Sequence, residues 1–164
     1  MAQRDLTDEI LLTLKTRVEG IRAYLSSVLT AAGFAALEPD KFPVWVGDVT
    51  NTKFPCMMIK IGSKTVEKFA VCTTLETYNV SLDVCIQHPS RKDAIEEQLI
   101  IRLASAIQNW LNDKSNRQFL VDGRGFSVWD SFAPSVELGQ YANTGTRVAR
   151  ISWWGKVTNP DSGV

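Results

Sequence analysis

The stretch Tyr78-Asn79-Val80-Ser81-Leu82-Asp83-Val84-Cys85-Ile86-Gln87-His88 decides the fold. Tyr78, Val80, Leu82, Val84 and Ile86 alternate with Asn79, Ser81, Asp83, Cys85 and Gln87, so successive side chains fall on an apolar and a polar face. That is the period of a half-buried antiparallel strand. Downstream the period changes: Ile95, Leu99, Leu103, Ala106, Ile107 and Trp110 share one face of a helix, with Glu96, Glu97, Arg102, Gln108 and Asn109 largely on the other. Ser90 followed by Asp93 resembles a capping box with Asp in place of Glu, and Pro89 stops the strand before it. Residues 146–158 return to period two, with Ala149, Ile151, Trp153 and Val157 facing one way and Arg150, Ser152, Trp154 and Lys156 the other. A strand, a helix laid on a sheet and a distant closing strand predict an α+β fold. It is a mostly antiparallel sheet with two main amphipathic helices packed on it.

The other helix lies at the amino-terminal end. Leu11, Leu14, Val18, Ile21, Leu25, Val28 and Ala32 recur at spacings of three and four, placing one apolar stripe along about six turns. Thr7 suits its cap and Gly33 its exit. Between the helices, Val44-Trp45-Val46 and residues 56–61 read as two short strands set off by Pro43 and Pro55. Residues 62–77 have no clean period and predict an extended hairpin arm or a mobile loop, in which Phe69 and Val71 are offered to a partner if the arm projects. Residues 119–121 and 127–129 flank Asp122-Gly123-Arg124-Gly125 as a hairpin, and residues 136–141 form a further strand. The Gly-x-Gly of that turn lacks the lysine and following helix of a phosphate-binding loop. The chain reads as one domain over residues 1–158 with a flexible tail at 159–164.

At 164 residues the chain is long enough to bury a core without metal or disulfide staples. Eighteen basic and eighteen acidic residues cancel, so no global field draws it to nucleic acid or an anionic membrane. Cys56, Cys72 and Cys85 are odd in number and lack C-x-x-C spacing, which points to free thiols in a reducing compartment. The first residues lack the build of a secretory signal, and Lys15, Arg17, Glu19 and Arg22 interrupt the apolar stretch that follows, excluding a membrane span there.

Chemistry is sparse. His88 is the only histidine, and proton transfer through it requires an acid or nucleophile to converge on it. Glu96 and Glu97 are adjacent on a helix, so their side chains diverge by about 100° and form no dyad. Asp48, Asp83 and Asp122 stand singly. No catalytic residue, cofactor or metal is therefore expected. The best local clue is Trp154 between Arg150 and Lys156 on the polar face of the closing strand, because Trp and Arg are enriched at interface anchors. Phe69, Val71, Arg150, Trp154 and Lys156 are the candidate interface residues. Two rival readings use other features: a small enzyme acting through His88, and a nucleic-acid-binding module using the Arg150, Trp154 and Lys156 face.

The whole order of elements resembles the tail terminator or tail-completion (head–tail joining) proteins of long-tailed bacteriophages. A long first helix leads to the Pro-punctuated pair Phe42-Pro43-Val44-Trp45-Val46 and Phe54-Pro55-Cys56-Met57-Met58-Ile59. A polar arm, the 78–88 strand, the capped helix and the closing strand follow, so the resemblance spans roughly residues 8 to 158. It implies a non-enzymatic structural subunit of the virion, made in the host cytoplasm and resident at the tail-neck junction. Its partners would be copies of itself in a ring, commonly a hexamer, together with the tail tube protein and a head-neck connector protein. DNA would only pass through the lumen, and no membrane is involved. A neighbouring neck or head–tail connector subunit is the alternative, since the 62–77 and 119–141 regions depart from the family pattern.

Overall fold

The computed structural model describes residues 5–34, 42–47, 55–86, 93–121, 126–140 and 146–160; for Phe69, residues 93–97 and Pro160 it describes the backbone alone. Two helices come first, α1 (Thr7–Gly20) and α2 (Arg22–Ala31). Strands β1 (Val44–Val46), β2 (Cys56–Ala70) and β3 (Thr73–Ile86) follow, then α3 (Asp93–Asn112), a short 3-10 turn (Lys114–Asn116), β4 (Phe119–Leu120), β5 (Ser127–Gln140) and β6 (Arg147–Pro160). All six strands lie in one sheet of order β1-β2-β3-β6-β5-β4. Every pairing is antiparallel except β1 with β2.

The fold is thus mixed α+β with a mostly antiparallel sheet and several helices packed on it. Where the sequence predicts one amino-terminal helix, the structure has two, broken at Ile21. Gly20 is a poor helix former, and the Ile21 N–H reaches back only three residues, to the Val18 carbonyl at 3.2 Å. The break is slight, so most of the stripe survives it: Leu11, Leu14, Val18, Ile21 and Leu25 are buried, while at its end Val28 and Ala32 are half-buried and Leu29 takes the core position instead. The cap also differs. Asp5, not Thr7, serves this end, its carboxylate accepting from the Thr7 N–H at 3.0 Å and from the Thr7 hydroxyl at 2.6 Å. In α3 the buried side chains are Ile100, Leu103, Ala104, Ala106, Ile107 and Leu111, with Leu99 and Trp110 packed at the margin. Ser90 and its proposed capping role lie outside the described residues.

Residues 62–77 form the hairpin arm of the two expected arrangements. β2 runs without a stop to Ala70, Val71 and Cys72 turn, and β3 starts at Thr73. The arm is not a lone ribbon, because β6 pairs with β3 all the way to Thr73↔Pro160. The closing strand accordingly passes the Thr158 boundary set for the domain. Asn159 is fully buried and donates to the Glu76 carboxylate at 3.2 Å, so residues 159 and 160 belong to the sheet. The two strands expected at 127–129 and 136–141 are one, β5, which crosses Pro134 with a register shift between Phe132 and Ser135. Proline is tolerated there because it falls within that shift, where the ladder between β5 and β6 is already interrupted.

The core fills the space between helices and sheet. Met57, Ile59, Tyr78, Val80, Leu82, Val84, Ala149, Ile151, Trp153 and Val157 supply its floor. Trp153 is its largest buried side chain, and its ring lies against Gly155, where a Cβ would overlap it. Phe119 stacks at 6.2 Å from Trp153, and the Arg17 guanidinium sits 4.0 Å from the Phe119 ring centre and 4.9 Å from that of Trp110. α1 is thereby tied to the far end of α3.

Candidate assembly surfaces

Alternation sends every second residue of the central strands to the sheet face opposite the helices. On that face Cys56, Met58, Cys85 and Val148 form a second, small apolar cluster. Beside it Asp83, fully buried, accepts from Arg150 Nε at 2.8 Å and Nη2 at 2.9 Å, with Lys60 Nζ at 3.2 Å. A planar guanidinium meeting both carboxylate oxygens is the strongest common form of such a pair. Arg150, one of the predicted interface residues, is therefore engaged with its own subunit, although its side chain is 46% exposed.

Further along the same face the chain assembles a row of rings and cations. The Lys156 ammonium lies 5.3 Å from the centre of Trp154 and 5.9 Å from that of Trp129, and the Arg117 guanidinium lies 5.0 Å from Phe132. Phe132 and Trp154 are register partners on β5 and β6. Trp154 is half-buried and Trp129 exposed. Trp154 and Lys156 are thus brought together as the alternation of β6 predicts. Trp129 and Phe132, three residues apart, both join them only because β5 shifts register between Val128 and Asp130, which nothing in the sequence pattern shows. Asp130 stands opposite Lys156 and Glu137 opposite Arg150, so acids are interleaved with the bases of this face.

Val71 occupies the turn of the arm and is 90% exposed. Phe69 lies two residues before it in β2; its side chain is outside the described set. At the root of the arm, on the helix side, Glu76 is buried with Tyr78 Oη donating to it at 2.8 Å and Lys64 Nζ at 3.2 Å. Burial and the neighbouring Glu76 carboxylate raise the Tyr78 phenol well above its ordinary value. These groups anchor the arm to β6 and to Asp5, which Lys64 also approaches at 3.6 Å.

His88 lies outside the described residues. Among those described, no three His, Cys, Asp or Glu side chains are placed to hold a metal ion, and no helix is long and apolar enough to cross a membrane.

No family model matches the chain, and no curated protein matches it. Among solved structures it is similar to a chain from the "Virion of native gene transfer agent (GTA) particle", with a TM-score of 0.52 over 92% of this chain and 93% of that one. Sequence identity is 8%, so the likeness is one of fold. The fold is shared, over nearly its whole length, with a chain of a virion particle.

Proposed function

We propose that this chain is a virion structural subunit and, within that class, a tail terminator or tail-completion subunit whose ring caps the tail tube and joins it to the head-neck. The observation that carries the reading is the end-to-end fold likeness to a chain of a virion particle. The order of elements in the sequence supports the same reading, as does the lack of any metal-binding cluster among the described residues. On this reading the Trp129, Trp154 and Lys156 row and the arm tip at Val71 serve protein contacts. Interleaved acids on the same face speak against a phosphate-tracking surface, which needs an excess of Lys and Arg.

Deleting the chain from the genome that carries it tests the reading. The expected result is heads and tails that accumulate unjoined, with tails of irregular length, and joining restored by added purified protein. Attachment to isolated heads but not to tails would move the chain to a neck connector. Joined, infectious particles of normal tail length without it would overturn a structural role at this junction.

A further inference from the structure

We propose that copies of this chain join edge to edge, the outer edge of β2 in one copy pairing antiparallel with the outer edge of β5 in the next, so that the sheets continue as one closed band. The inference rests on the ring reading above and names the contact that builds the ring.

Both edges are open over a long stretch. β1 pairs with β2 only at Met57–Ile59, so residues 61–70 have no strand on their outer side among the described residues. β4 pairs with β5 only at Ser127 and Val128. Beyond this, side chains cover part of β5: Asn112 Oδ1 accepts from the Ala133 N–H at 2.7 Å, and Gln108 and Asn112 both donate to the Ala133 carbonyl. Residues 134–140 have no such cover among the described residues. Long uncovered edges are pairing templates that soluble monomers usually blunt. Besides Lys64 and Lys68 on β2 and Pro134 on β5, they carry exposed apolar side chains, Ile61 and Val66 on β2 and Leu138 on β5.

Three features make the two edges suit each other. The first is charge: along its open part β2 holds Lys68 and Lys64, the latter also serving Glu76, beside Glu67, whereas the open part of β5 holds Glu137 and no base. The second is direction. Three antiparallel steps lead from β2 through β3 and β6 to β5, so β2 and β5 run in opposite senses. A rotation about a ring axis preserves each sense, and the junction is therefore antiparallel, the stabler ladder.

The third is stagger. Thr65, in the middle of the open part of β2, lies level with Thr77, Lys156 and Asp130 across the sheet, whereas Glu137, the middle of the open part of β5, lies level with Arg150, six ladder positions further on because the shift after Phe132 absorbs one residue. Six positions at about 3.3 Å are about 20 Å, and four strand spacings of about 4.8 Å are about 19 Å. Bringing the open halves to one height thus tilts the strands by about 45° from the ring axis, at the upper end of the roughly 35–45° of closed β-barrels. Unlike edges joined head to tail by a closing rotation give a ring rather than a two-fold dimer.

Hydrogen exchange on the wild-type chain, dilute and assembled, is the primary test. Amides in 61–70 and 135–140 should slow by about tenfold or more on assembly, with alternate residues most affected. Blocking variants give a second readout. Val66→Pro and Leu138→Pro, checked for native circular dichroism, should each lose ring formation, and mixing them should yield a species of two subunits and nothing larger, joined through the one intact pair of edges. Rings whose 61–70 and 135–140 amides exchange as fast as in the dilute chain would overturn the edge contact while leaving the ring reading in place. A wild-type chain that stays monomeric at high concentration and beside tail tubes would overturn both.

Discussion

Replacing Gly155 by alanine puts a methyl group where the Trp153 ring lies. An added Cβ would overlap Cη2, with Cζ2 at 2.8 Å and Cζ3 at 3.0 Å. Neither neighbour yields easily. The backbone at 155 is held on both sides, by Tyr78 on β3 and Ser131 on β5, and the ring is pinned by Phe119 in a core where Trp153 is 2% exposed. Overpacking of this kind costs about 1–3 kcal/mol, and the two-sided ladder places Gly155→Ala near the upper figure. Complete expulsion of the ring sets a ceiling of about 5 kcal/mol, from roughly 200 Å² at about 25 cal/mol per Å². Near 3 kcal/mol, the melting temperature should fall by about 6–12 °C for a chain of this length. Denaturant unfolding followed by circular dichroism, with the protein monomeric, measures the cost. The same substitution in a Trp153→Phe background, where Cη2 is gone, should cost about 1 kcal/mol or less, a coupling of about 2 kcal/mol. A loss below about 0.5 kcal/mol, or an equal loss in both backgrounds, would refute the packing argument.

Trp153→Ala should lower monomer stability by about 3–5 kcal/mol, as core aromatics do, whereas Trp154→Ala on the helix-free face should cost about 1 kcal/mol of folding and weaken ring formation by about 2–4 kcal/mol. Unfolding beside sedimentation compares the two, and equal folding losses would count against the assignment of faces. Cys56 and Cys85 are buried register partners, and their mutual hydrogen bond and burial push the Cys85 thiol up, while Cys72 sits at the arm turn. A thiol reagent should therefore label Cys72 rapidly and the other two only on unfolding; peptide mapping of labelled sites checks this. Hydrogen bonds from Thr7, and then Lys64 nearby, hold the Asp5 carboxyl below the usual carboxylate range. A depressed folded pKa contributes stability above the unfolded value of about 3.9 and loses it as pH falls through the folded one. Wild type and Asp5→Asn should thus differ in melting temperature at neutral pH and converge toward pH 2, and a constant gap would contradict the cap.

The sequence carries the period of β6 and α3 openly because both have one buried and one solvated side, and Trp153 and Trp154 fall on the sides that alternation predicts. The arm is harder to read. From 61 to 68 β2 is exposed at every position, so no face is marked apolar, and its partner β3 hides a buried Glu76 where the pattern calls for a hydrophobe. That carboxylate is tolerated only because Tyr78, Lys64 and Asn159 converge on it, Asn159 from 83 residues away. Asp83 and Arg150 pose the same difficulty, since each looks like a solvated residue of a polar face until the register of β3 and β6 sets them opposite each other. Pro134 conceals the continuity of β5, because proline halts a regular strand but is accommodated at a register shift. The candidate surface is legible in Trp154 and Lys156, whose place follows from alternation, and illegible in Trp129 and Phe132, which share a face only through the register shift between Val128 and Asp130.

Electron microscopy of the purified full-length chain mixed with tail tubes from its own particle, paired with mass measurement of the free protein, tests the central claim most directly. The account predicts closed rings of one stoichiometry, seated at one end of the tube and stopping its further growth. A chain that remains a single subunit at every concentration and leaves both tube ends bare would contradict it.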